Sequence, residues 1–176
     1  MHFNRKAIIV FSCLFSPVFF ISAQAADGWG RVNMQGSIID TACAIAVDSR
    51  EQSIDMGVIP VADIIRVGEG RSKSFSLVLV DCLLERPGKE DWKKFQVTFD
   101  GDPEGNLFGI RGGASGVGLQ ITDSQGYVAT PGETLPFVNI TPGSMRLNYS
   151  LKLVANNHAL KSGDYFSSIR FKLDYF

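Results

Sequence analysis

Period-two alternation of apolar and polar side chains dominates this chain, and it is cleanest in residues 163–176, Gly-Asp-Tyr-Phe-Ser-Ser-Ile-Arg-Phe-Lys-Leu-Asp-Tyr-Phe. Tyr165, Ile169, Phe171, Leu173 and Tyr175 share one face of an extended strand that opens at Gly163 and runs to Phe176. Ser168, Arg170, Lys172 and Asp174 share the other. One face suits a core and the other suits water. No later residues are expected to cover this strand's edge, and its unpaired N–H and C=O groups then form a template for a strand from another polypeptide.

The same period recurs along the sequence with little helical periodicity between. Strand-like segments are expected at residues 31–41, 52–58, 72–82, 95–100, 116–123, 146–155 and 165–176, separated by Gly, Pro, Asn and Asp. Phe75, Leu77 and Leu79 alternate with Ser74, Ser76 and Val78, and Phe95, Val97 and Phe99 with Gln96 and Thr98. Short strands at this spacing indicate an all-β sandwich. Residues 59–69 hold a short helical turn after Pro60.

The amino-terminal residues read as a secretion signal spanning residues 1–25. Arg5 and Lys6 supply the basic region, residues 7–21 the apolar region, and Ala23-Gln24-Ala25 a small-x-small cleavage site. Cleavage removes Cys13 and leaves Cys43 and Cys82 as a pair in an oxidising compartment, where a disulfide is expected. Closing a loop of roughly forty residues contributes about 4 kcal/mol in the chain-entropy model. The remaining residues suffice for one domain.

Several function classes drop out. The formal charge is −1, and removal of Arg5 and Lys6 makes it more negative, with no basic patch for nucleic acid. One histidine, His158, remains beyond the signal, with no free cysteine and no G-x-S-x-G sequence, so nucleophilic and metal catalysis lack their usual parts. The run from Gly112 to Gly118 superficially suggests a phosphate cradle, but it feeds the alternating segment Val117-Gly118-Leu119-Gln120-Ile121 rather than a helix. No cofactor, metal or small-molecule substrate is expected.

At the other end, residues 28–36 form a second alternating stretch. Gly28, Gly30, Val32 and Met34 share one face; Trp29, Arg31 and Asn33 share the other. Glycine inside a strand marks close approach by another backbone or a bulky side chain. Two readings stay open on pattern alone: a leader followed by an ordinary first strand, or a strand held elsewhere.

The two ends together resemble those of pilus subunits assembled by the chaperone-usher pathway. Gly163 stands fourteenth from the end and Tyr175 is penultimate, with alternating apolar residues between, as in that family's C-terminal motif. Gly36-Ser37-Ile38-Ile39-Asp40-Thr41-Ala42-Cys43 resembles the family's glycine-to-cysteine first strand, and Gln52-Ser53-Ile54-Asp55-Met56-Gly57 the strand after it. Phe75-Ser76-Leu77 leading to Asp81-Cys82, then Val97-Thr98-Phe99-Asp100-Gly101, follow in the family's order. Within the family, Ser53-Ile54-Asp55-Met56-Gly57, Pro60-Val61-Ala62-Asp63 and the ending resemble the minor subunit that terminates P-type pili.

The resemblance implies an incomplete immunoglobulin-like β-sandwich, residues 36–176, that lacks its last strand, preceded by a donor segment at residues 26–35. It implies that a periplasmic chaperone pairs along residues 165–175 and binds the Phe176 carboxylate, that an outer-membrane usher passes the subunit on, and that neighbouring subunits exchange strands. Gly28, Gly30, Val32 and Met34 would face into a neighbour's groove; Gly163, Tyr165, Ile169, Phe171, Leu173, Tyr175 and Phe176 would edge the chain's own. The chain is then exported to the periplasm and carried to a surface fimbrium, terminating or anchoring its rod at the outer membrane. An internal or major rod subunit is the alternative, and a carbohydrate-binding adhesin, with Trp29, Trp92 and Tyr127 stacking on sugar, a further one.

Overall fold

The computed structural model describes residues 30–36 and 38–176, so the signal sequence, Gly28 and Trp29 lie outside the described residues. The chain divides into two units, Met1–Ile38 and Ile39–Phe176. In the first, the described residues carry no regular secondary structure, and Val32 and Met34 are 85% and 91% exposed.

The second unit is a two-layered β structure. Its elements in chain order are β1 (Ala44–Ile45), the helical turn α1 (Val47–Arg50), helix α2 (Val61–Val67), β2 (Lys73–Cys82), β3 (Lys94–Asp100), β4 (Pro103–Glu104), β5 (Leu107–Phe108) and β6 (Arg111–Gly112). There follow β7 (Val117–Asp123), β8 (Val128–Ala129), β9 (Val138–Asn139), β10 (Gly143–Ala155), β11 (Tyr165–Phe166) and β12 (Arg170–Tyr175). The larger sheet runs β1-β2-β10-β7-β5-β4 with β8 on β7; the smaller runs β12-β3-β9, and β11 pairs with β6. All these pairings are antiparallel.

The alternation explains the layers. β10 buries Leu147, Tyr149, Leu151 and Leu153 between β2, which buries Leu77 and Leu79, and β7, which buries Leu119 and Ile121. From the smaller sheet, Phe95, Val97 and Phe99 complete the core. The layers meet through aromatics, with Phe99 edge-on to Tyr149 at 5.0 Å and to Phe75 at 6.3 Å between ring centroids. Each large side chain so buried contributes roughly 1.5–3 kcal/mol.

Cys43 and Cys82 are bonded to each other, with Cα atoms 4.1 Å apart, and both are buried. A local irregularity aims Cys82 inward. Asp81 takes a left-handed conformation, φ 52°, where the register of β2 against β10 slips, as in a bulge. Helix α2 lies within the helical turn expected after Pro60, and it stops at Gly68, φ 83°, whose N–H donates to the Ile64 carbonyl at 2.8 Å.

Three expected strands need correction. Residues 31–41 form no strand among the described positions, and the first ladder begins only at Ala44, because an extended segment without a neighbour has nothing to satisfy its backbone. Residues 52–58 are likewise outside any ladder: Ile54 and Met56 turn toward the core, but Val58 is exposed. Residues 165–176 are two strands rather than one. The break falls at residues 167–169, where the Ser167 hydroxyl donates to the Gly109 carbonyl and the chain leaves β6 to join β3.

Candidate functional site

The second unit contains a groove of about 1140 Å³ running between its layers. Phe75 and Leu77 from β2, Leu119 and Ile121 from β7, and Leu151 and Leu153 from β10 form one side, and Phe99 from β3 faces them. Residues 50–59 make one wall and residues 160–171 the other.

The first wall follows from how β1 ends. The Ala46 N–H donates to the Val78 carbonyl at 2.9 Å, and α1 then carries the main chain away from the edge of β2. Side chains take over that edge. The buried Ser49 hydroxyl accepts from the Val78 N–H at 2.9 Å, and the Gln52 carboxamide donates to the Ser76 carbonyl at 2.9 Å. Beyond them, residues 52–59 make no main-chain hydrogen bond to a strand among the described residues; the Gly57 N–H donates instead to the Asp55 carboxylate at 2.8 Å.

The other wall is half paired. β12 bonds to β3 from Arg170 opposite Asp100 to Tyr175 opposite Phe95, and its remaining edge has no strand beside it among the described residues. Tyr165, Ile169, Phe171, Leu173 and Tyr175 all pack against the core, and the first three line the groove. Tyr175 lies 5.9 Å from Phe95 and 5.8 Å from Trp92, centroid to centroid. Phe176 is held by its own chain: its N–H donates to the Lys94 carbonyl at 2.8 Å, and its oxygen accepts from the N–H groups of Lys93 and Lys94 at 2.8 and 3.1 Å. The Phe176 ring stands edge-on to Phe137.

Gly163 lines the groove where two backbones touch, and an added methyl group would sit 2.5 Å from the Gly113 carbonyl carbon. The nearby Gly116, φ 83°, meets the Leu160 Cα in the same way, so the glycine run serves packing at the start of β7. The disulfide lies outside the groove lining. Gly30, Val32 and Met34 belong to the first unit, where Gly30 has open space on its Cβ side.

Two ionisable features stand out. Burial, with a smaller contribution from the Asp55 carboxylate, pushes the Tyr165 phenol above its ordinary range. At the root of the second unit, Asp40 accepts from Lys89 Nζ at 2.8 Å and Arg86 Nη2 at 2.5 Å, and these bonds hold its carboxyl below the ordinary value of 3.8. The Arg86 guanidinium lies 3.8 Å over the Trp92 ring, which also packs against the core. No cluster of His, Cys, Asp and Glu able to hold a metal occurs among the described residues. Ser49 and Gln52 escaped the sequence reading because a serine and a glutamine beside a strand carry no periodic signal.

No protein-family model matches the chain. The PRS and PAP fimbrial minor pilin proteins of Escherichia coli are each 34% identical over 150 residues, 83% of this chain and 77% of theirs. The Major MR/P fimbria protein of Proteus mirabilis (strain HI4320) is 34% identical over 182 residues, 99% of both chains. Among solved structures, the P pilus rod subunit PapA superposes with a TM-score of 0.68 at 18% identity, covering 77% of this chain and all of that one. The relatives' identity and coverage, with a cystine-linked, groove-bearing β structure of the same fold, place this chain in the family of chaperone-usher fimbrial subunits: it is a structural pilin and not an enzyme.

Proposed function

We propose that this chain is a minor subunit that joins its fimbria by strand exchange. Residues 26–35, with Gly28, Gly30, Val32 and Met34 facing inward, are lent to a neighbouring subunit. The groove edged by Gly163, Tyr165, Ile169, Phe171, Leu173, Tyr175 and Phe176 is filled by a strand from a periplasmic chaperone until an outer-membrane usher takes the subunit. The single observation that carries this reading is the groove, whose two walls leave main-chain groups without a ladder among the described residues beside the apolar side chains of β2, β7 and β10. An extended strand fits such a place: its backbone pairs with the walls and its alternate side chains enter the lining.

The position proposed is the base of the rod, where the subunit terminates or anchors the fibre at the outer membrane. The resemblance of Ser53-Ile54-Asp55-Met56-Gly57 and the ending to the minor subunit that terminates P-type pili supports it, and likeness to the PRS and PAP minor pilins supports a minor subunit. The same identity to the Major MR/P protein, over nearly the whole length of both chains, favours a second reading as an internal or major subunit. A challenge of the chaperone-bound protein with N-terminal segment peptides from its fimbrial partners separates the two. A terminator refuses every peptide and keeps its chaperone; an internal subunit releases the chaperone as a peptide enters.

A further inference from the structure

The strands at the back of the groove line it with apolar side chains, Phe75, Leu77, Phe99, Leu119, Ile121, Leu151 and Leu153, and Tyr165 brings a phenol to it from one wall. The Tyr165 hydroxyl oxygen is shielded from solvent and has no hydrogen-bond partner among the described residues, although the ring lines the groove. Asp55, on the opposite wall, lines the same groove, and its charge is felt at the phenol. One oxygen of that carboxylate accepts from the Gly57 N–H. A buried donor left unpaired is costly, and a fold rarely leaves one without a purpose or a missing partner. The main chain of Tyr165 is held in β11 opposite Gly112. The Asp55 wall has no strand ladder among the described residues.

Resting on the strand-exchange reading above, we infer that Tyr165 and Asp55 form a polar station that selects the strand lent by the assembly chaperone. That strand carries a carboxamide or hydroxyl side chain where it passes Tyr165, accepting from the phenol and donating to the Asp55 carboxylate. An apolar side chain at that place leaves the phenol unpaired. A terminating subunit makes the chaperone the occupant, since no later subunit replaces it.

The test uses the full-length protein and synthetic peptides on two frames, with outward-facing residues copied from a chaperone edge strand in one and from residues 26–35 in the other, and with Val at every groove-facing position. A single Asn then replaces each groove-facing Val in turn. The expected result is that one Asn position on the chaperone frame binds about two- to tenfold more tightly than the all-Val peptide, the range of one net hydrogen bond. The preference, measured in each protein as the ratio of Asn-peptide to all-Val-peptide affinity, disappears in Tyr165→Phe and weakens in Asp55→Ala. No positional preference, a preference that survives Tyr165→Phe, or a preference confined to the other frame overturns the station while strand exchange stands. Failure of every peptide to bind overturns both.

Discussion

Gly163 and Gly113 touch backbone to backbone, so closely that a Cβ on Gly163 would lie 2.5 Å from the Gly113 carbonyl carbon and 2.7 Å from the Ala114 nitrogen. Neither neighbour is a flexible side chain that can swing aside. Gly163→Ala therefore forces main-chain movement at one wall of the groove, at a cost of about 1–3 kcal/mol typical of overpacking. Denaturant unfolding of the variant should show a lower midpoint, and an unchanged midpoint would show that the wall yields freely. Gly113→Ala is the milder control, because an added methyl group there finds its nearest atom at 3.7 Å.

Gly30 predicts the opposite separation of effects. Nothing lies within 4 Å of the place its Cβ would occupy, so Gly30→Phe leaves the subunit's own folding intact. If residues 26–35 are lent to a neighbour, the bulky ring blocks incorporation into the fibre. Chaperone complexes should be recovered in normal amounts while the variant is missing from purified fimbriae. Normal incorporation would remove the donor assignment.

The cystine holds the short β1 against the end of β2, where Ala44 pairs with Val80. A two-residue ladder contributes little by itself. Replacing Cys43 and Cys82 together by Ala should cost about 2–5 kcal/mol. Urea unfolding of the oxidised parent and the double variant measures it, and a difference below about 1 kcal/mol would mean that the loop is already ordered by other contacts.

Asp40 gives an acid-side pH dependence whose sign follows from its partners. Lys89 and Arg86 hold the folded carboxyl below its ordinary 3.8, so the unfolded chain takes up the proton first. The contribution of this group is complete above that value and is lost as the pH falls through it toward the lower folded value. Asp40→Asn should flatten this part of the stability profile while lowering stability slightly at neutral pH. Thermal melts between pH 2 and 6, roughly the carboxylate range, decide it. An identical profile in the variant would show that exposure and solvent screen the contact completely.

Much of the architecture was legible in the residues because period-two burial is a local signal. β2, β3, β7 and β10 lie within a few residues of the segments expected from Phe75-Ser76-Leu77, Phe95-Gln96-Val97, Leu119-Gln120-Ile121 and Leu147 to Leu153. What escaped was long-range. Val32 and Met34 alternate as well as any strand, yet alternation supplies no partner to bond with, and these residues carry no ladder. The two-residue strands β4, β5, β6, β8 and β9 are too short to show a period. Gly163 and Tyr165, singled out in the sequence, line one wall of the groove, whereas the missing ladder on the other depends on Ser49 meeting Val78, twenty-nine positions apart. The unpaired Tyr165 hydroxyl is equally invisible in sequence, because only packing reveals that a phenol has found no partner.

The hydroxyl of Ser49 and the carboxamide of Gln52 also bear on solubility. A bare sheet margin invites stray chains to zip on and continue the sheet from molecule to molecule, the route to fibrous aggregates. With a short side chain seated on Val78 and another on Ser76, uncontrolled growth of the sheet at that margin meets a stopper.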